Sequence, residues 1–148
     1  VPKDALSIKG RVLVELFGPD GILKAERLID NLVVTAGKNH IADQLSSAPG
    51  QSAMSHMAIG TGTVDPAVGD TTLGTEIDRN ALTSRTDATN VVTYVGDWAA
   101  GDGTNSAITE AGIFNAASSG TMLARTEFTA INKGAGDTLK ITWTLTIG

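Results

Sequence analysis

Over residues 138–147 apolar and polar side chains alternate without a break. Leu139, Ile141, Trp143, Leu145 and Ile147 stand against Thr138, Lys140, Thr142, Thr144 and Thr146. A period of two is the period of a β-strand, whose successive side chains point to opposite faces. A helix would scatter those five apolar residues around its circumference. The segment is therefore a strand with one buried face, and it needs a second apolar layer to close on. The outer threonines suit either solvent or another β surface.

The rest of the chain repeats that requirement. In residues 8–17, Ile8, Gly10, Val12, Val14 and Leu16 share one face, while Lys9, Arg11, Leu13, Glu15 and Phe17 share the other. Gly18-Pro19-Asp20-Gly21 then supplies a turn, because Pro presets φ and Gly tolerates positive φ. The spacing predicts a hairpin over residues 8–34 with a long charged return strand, able to project from the body or wrap a neighbour. Residues 57–59 read as a buried strand entering Gly60-Thr61-Gly62. Residues 81–86, 90–98, 108–114 and 122–128 read as further strands, the last two as a hairpin around Ala116-Ala117-Ser118-Ser119-Gly120. Residues 131–137 read as a polar connection. Two helical pieces are expected. One is a short helix over residues 36–45 capped by Thr35, with Ile41 and Leu45 four apart and Gly37 weakening it. The other is a single turn over residues 73–79, where Glu76 and Arg79 lie three apart. Residues 64–74 form a long loop. Seventeen glycines and many threonines favour β structure over helix. The expected fold is an all-β sandwich, jelly-roll-like, with one short helix, an N-terminal arm and hairpin over residues 1–34 and a body over residues 35–148, packed as one unit of ordinary domain size.

Composition narrows function by exclusion. With 11 basic against 16 acidic residues the net charge is −5. A nucleic-acid surface needs clustered Lys and Arg to displace counterions, so no nucleic-acid partner is expected. There are no cysteines, which excludes disulfides, thiolate catalysis and Cys-ligated zinc. No apolar run approaches the roughly 20 residues that cross a bilayer as a helix, so no membrane partner is expected. No signal peptide is visible, and a start at Val1 implies processing or an incomplete N-terminus.

No motif for chemistry survives inspection. His40 and His56 are isolated from each other and from any metal-ligand spacing. Gly60-Thr61-Gly62 opens like a dinucleotide fingerprint, but Asp65 stands where the third glycine belongs, and a tight turn explains it better. Gly37-Lys38 lacks the remainder of a phosphate loop. Asp97, Asp102 and Asn105 offer oxygen ligands without the spacing or terminal Glu of a calcium loop. Trp98 with Tyr94 could stack on a sugar, which makes a carbohydrate-binding sandwich a third reading, although core packing is the simpler role for both. The expectation is a protein that is not an enzyme and carries no cofactor or metal.

The segments Ile108-Thr109-Glu110-Ala111-Gly112-Ile113-Phe114-Asn115 and Met122-Leu123-Ala124-Arg125-Thr126 have upstream companions in Met57-Ala58-Ile59-Gly60-Thr61-Gly62, Leu73-Gly74-Thr75-Glu76 and Arg79. This order resembles a family of small virion structural proteins of tailed bacteriophages. The resemblance runs from about Asn31 to the C-terminus. Family members are described as head decoration (cement) proteins or as tail-fibre and baseplate components. It implies a β-rich homotrimer on the virion, bound to the major capsid protein or to a tail or baseplate protein. The absence of a heptad shaft or fibre repeat favours the head; attachment at the tail fibre or baseplate is the alternative. Glu76, Arg79, Glu110 and Arg125 are the charges inside these motifs. Either they contact a neighbouring subunit or they form internal ion pairs. Lys3 and Asp4, on an N-terminal segment too polar to feed the core, are further candidate partner contacts.

Overall fold

A computed structural model describes residues 3–104 and 106–148 of the chain. It is a sandwich of two antiparallel five-stranded sheets. Sheet A has the order β2 (Leu23–Asp30), β1 (Ile8–Phe17), β10 (Thr138–Ile147), β7 (Val91–Trp98), β6 (Ser84–Ala88). Sheet B has the order β3 (Leu32–Val33), β9 (Met122–Lys133), β8 (Ser106–Phe114), β4 (His56–Gly60), β5 (Glu76–Ala81). The one helix among the described residues is α1 (Thr35–Gln44).

The alternating segment is the middle strand of sheet A. Leu139, Ile141, Trp143 and Leu145 are buried in the space between the sheets, opposite Ile59, Ile108, Ala111 and Ile113 of sheet B. Ile147 departs from the pattern: it is 38% exposed, because the sheet ends there. The first strand takes the same phase. Gly10, Val12, Val14 and Leu16 face inward, and β1 pairs with β10 along its whole length from Ile8↔Ile147 to Phe17↔Thr138. The hairpin therefore lies in the sheet rather than projecting from it.

Several expected elements end elsewhere. The return strand is interrupted at Asn31, whose side chain occupies the space over Gly10, and the chain there passes from sheet A to sheet B. The predicted strand over residues 81–86 is likewise cut by a sheet change: Ala81 ends β5 in sheet B and Ser84 begins β6 in sheet A. These two crossings form the sides of the sandwich. Arg27 of β2 donates to the carbonyls of Thr129 and Ala130 of β9 at one side. Asn80 donates to the Asp97 carbonyl and Thr83 to the Asp97 carboxylate at the other. The polar connection begins later than expected, because Ile131 and Lys133 are buried members of β9.

The helical turn predicted over residues 73–79 is replaced by strand, since Glu76–Ala81 pairs with β4. A bulge between Ile59 and Gly60 shifts the phase of β5, so Glu76 and Arg79 meet although they are three apart on a strand. Thr35 is not the cap of α1. Val34 holds that position without a side-chain bond, and the Thr35 N–H instead donates to the Val68 carbonyl at 2.8 Å. Gly37 has a packing reason: a Cβ there would collide with the backbone carbonyl of Leu123, so glycine lets α1 lie directly on β9.

The outer face of sheet B is thus covered. Ala58, Phe114 and Met122 of the sheet form a second, smaller apolar cluster with Val34, Leu73 and Ala36 from the helix entry and the loop of residues 61–75.

Candidate functional site

The charged residues singled out in the sequence meet on this covered face. Glu110 lies on β8 beside Gly60 of β4, and Gly112, two residues on, pairs with both Ala58 and Arg125. Side chains at 110 and 125 are therefore diagonal neighbours on one face. The Glu110 carboxylate is fully buried and Arg125 is 3% exposed. Arg125 donates through Nη2 to Glu110 Oε2 at 2.8 Å and through Nη1 to Asp70 Oδ2 at 2.7 Å.

The remaining lone pairs of Glu110 are taken by backbone. Gly62 and Thr75 N–H groups donate to Oε1 at 2.9 and 2.7 Å, and the Gly74 N–H donates to Oε2 at 2.9 Å. All three belong to the loop of residues 61–75. The loop is held at further points: Thr109 Oγ1 donates to the Gly62 carbonyl at 2.6 Å, and Arg125 Nη2 to the Val64 carbonyl at 2.8 Å. Glycine at 60 and 62 is required for this approach, because a Cβ at either would strike the Glu110 side chain. The glycines that open like a dinucleotide fingerprint are a seat for the chain's own carboxylate.

Burial pushes the Glu110 carboxyl upward, but hydrogen bonds from Thr75, Gly74, Arg125 and Gly62 together outweigh it and hold the group below its ordinary value. Asp70 is also held low, first by the Ala67 N–H and then, against its own burial, by Arg125. Burial works against the Arg125 cation, and Asp70 and Glu110 overcome that and hold its proton more firmly. The set is one anion, one cation and a second anion, all ionised and internally satisfied except for Arg125 Nε, which has no partner among the described residues.

Glu76 and Arg79 form a second lock. Arg79 grips both Glu76 oxygens at 3.0 and 2.7 Å, lies 3.7 Å over the Phe114 ring, and donates to the carbonyls of Ala116 and Ser119. It fixes the turn between β8 and β9, where Ser119 and Gly120 have positive φ. Lys3 and Asp4 stand apart from both locks, exposed and outside the strands.

The other sequence candidates fall into structural roles. His40 is buried and shares a 3.0 Å hydrogen bond with Gln51; His56 bonds Ser55. Trp98 and Tyr94 lie in the core between the sheets, so neither offers an exposed face for a sugar. Asp97 is engaged by Thr83, and Asp102 accepts the Ala99 N–H at 3.3 Å, while Asn105 lies outside the described residues. Among the described residues no group of three acidic, His or Cys side chains is placed to hold a metal ion.

Sequence reasoning missed Asp70 as the third member of the network and Lys133 as a buried cation. Lys133 donates to the Ala99 carbonyl at 3.0 Å, and burial lowers its pKa against the pull of Asp102, Asp137 and Asp78. Glycines at 60, 62 and 74, around a loop lacking any Lys or Arg, were the available signal for a carboxylate seat. Compared with known proteins, the chain matches no family model, no curated protein and no solved structure.

Proposed function

We propose that the chain is a structural protein of a tailed-phage virion, a head decoration protein that binds the outer surface of the assembled shell as a homotrimer. The observation that supports it most is the convergence just described. Four separated segments carry the resemblance, and all four lie on sheet B and its loop. There their charged residues are spent on fixing backbone rather than on reaching a substrate. A binding module that must present one rigid shape has use for such locks; a hydrolase or transferase would need some of those groups free. The physical role follows from mass action: a protein that binds only the assembled shell stabilises that shell. Three copies joined by closed symmetry act with the strength of their combined contacts.

Copy number tests this reading. Purified virions are expected to carry hundreds of copies, and the free protein is expected to sediment as a trimer. A few copies to a few dozen per particle point to the tail fibre or baseplate instead.

The N-terminal segment is the proposed attachment arm. Of the arm expected over residues 1–7, Ser7 is tied beside the end of the sheet, exchanging two hydrogen bonds with Gly148, which leaves residues 1–6 as the arm. Of these, residues 3–6 are exposed. Removing residues 1–6 is expected to change stability by less than about 0.5 kcal/mol in urea titration, as for other exposed positions. The same truncation should wash off heads at lower salt than the full chain. Equal retention of the two proteins rules the arm out.

A further inference from the structure

We infer that the tip of the loop, residues 63–69, is the element that docks on the shell, its two valines entering an apolar pocket rimmed by basic side chains on the major capsid protein. This rests on the decoration reading and names the surface that carries it.

Val64 is 71% exposed and Val68 55%. Single exposed apolar residues are ordinary. What distinguishes these two is the machinery beneath them. The Val64 carbonyl is gripped by Arg125, and the Val68 carbonyl takes the Thr35 N–H at the start of α1. Between them, Asp70 receives the Ala67 N–H at 2.8 Å and returns its own N–H to the Ala67 carbonyl at 3.0 Å. Pro66 fixes one further backbone angle. Two buried charges are thus committed to a segment that contributes only Leu73 to the apolar interior.

Burying charge to hold a loop is costly compared with simply shortening it. The arrangement makes sense where the loop must keep one shape. A preset tip loses little entropy on binding, and valine, with restricted χ1, loses less than a long side chain would. Functional loops are commonly carried on rigid scaffolds in this way.

Charge indicates the rim of the partner's pocket. The loop of residues 61–75 holds two acidic residues and no Lys or Arg. Asp70 is consumed by Arg125, whereas Asp65, at the exposed tip, has no ion pair among the described residues. The chain as a whole carries −5. An apolar tip with one free carboxylate is complementary to an apolar pocket with a basic edge.

The test uses empty heads assembled from the major capsid protein of the virus that the decoration reading implies, titrated with this chain and pelleted. The doubly substituted Val64→Ser, Val68→Ser chain should bind about tenfold or more weakly, as expected for central apolar anchors, with its melting temperature unchanged. Asp65→Asn should weaken binding a few-fold and flatten its salt dependence. If the wild type binds and the double variant binds equally well, the tip is not the docking element, and the decoration reading stands. A double variant that loses the free trimer assigns the tip to contacts between copies and overturns the pocket on the shell. A wild type that binds no heads removes the decoration reading and this inference with it.

Discussion

Replacing Trp143 by alanine is expected to destabilise the protein by about 3–5 kcal/mol, while Thr142→Ala on the opposite face of the same strand costs less than about 1 kcal/mol. Trp143 is fully buried at the centre of sheet A, packed between the sheets with Ile141 and Leu145 on its own strand. Its indole N–H has no partner among the described residues. The loss on truncation is therefore apolar contact and cavity, with no hydrogen bond to subtract. That gives a second variant with a different expectation. Trp143→Phe removes an unsatisfied buried donor along with part of the ring, so the two effects oppose and the cost should fall well below that of alanine. Urea unfolding of the three variants measures this. Similar small losses at 142 and 143 would show that the strand does not hold the register Trp143↔Tyr94 and Thr142↔Val95.

That strand was legible in the sequence because one physical demand, a dry face beneath a wet one, acts on every residue of it. The Gly18–Gly21 turn was legible because Pro and Gly constrain the backbone locally, and the Gly21 φ of 78° is what the residue type permits. The failures share a cause. Glu76 and Arg79, three apart, look like neighbours on a helix, yet a β-bulge brings the same pair together on a strand. A bulge is set by the partner strand, which the local sequence does not contain. Thr35 has the chemistry of a cap, but it is the first residue of the helix, one position inside the cap that Val34 occupies. The breaks at Asn31 and after Ala81 depend on which sheet each half can join.

Glu110 and Arg125 were visible as charges inside apolar strands, but a bulge between Ile113 and Phe114 sets their register, and the turn alone does not give it. Their burial was not visible, because it comes from residues 61–75, far away in sequence. Two readings were open for them, a partner contact or an internal ion pair, and in this structure each is the other's partner.

Breaking that pair is the second large expected effect. Glu110→Ala should cost about 3–5 kcal/mol, the range for a buried ion pair that loses one member. The figure measures the damage done by leaving Arg125 with Asp70 as its remaining ion-pair partner and by three orphaned N–H groups. It does not measure a net gain over an apolar core, which for buried pairs is commonly near zero. The damage should be local. Amide exchange at Gly62, Gly74 and Thr75 should accelerate, while the Trp143 neighbourhood stays protected except by global unfolding. Acid should reproduce part of the effect. Folding holds the Glu110 carboxyl below its unfolded value, so the folded state binds fewer protons there. The stabilisation is complete above the ordinary carboxylate pKa of about 4.3 and is lost as pH falls through the lower folded value. Asp70 shifts in the same direction and adds to the slope. The wild type should therefore lose stability below about pH 4.3 more steeply than Glu110→Gln, which has no proton to take up at that site. Parallel acid profiles for the two, or a cost below about 1 kcal/mol for Glu110→Ala, would mean that the loop is held by its apolar contacts through Leu73 and not by the carboxylate. The rigid tip would then lack the support on which its proposed role depends.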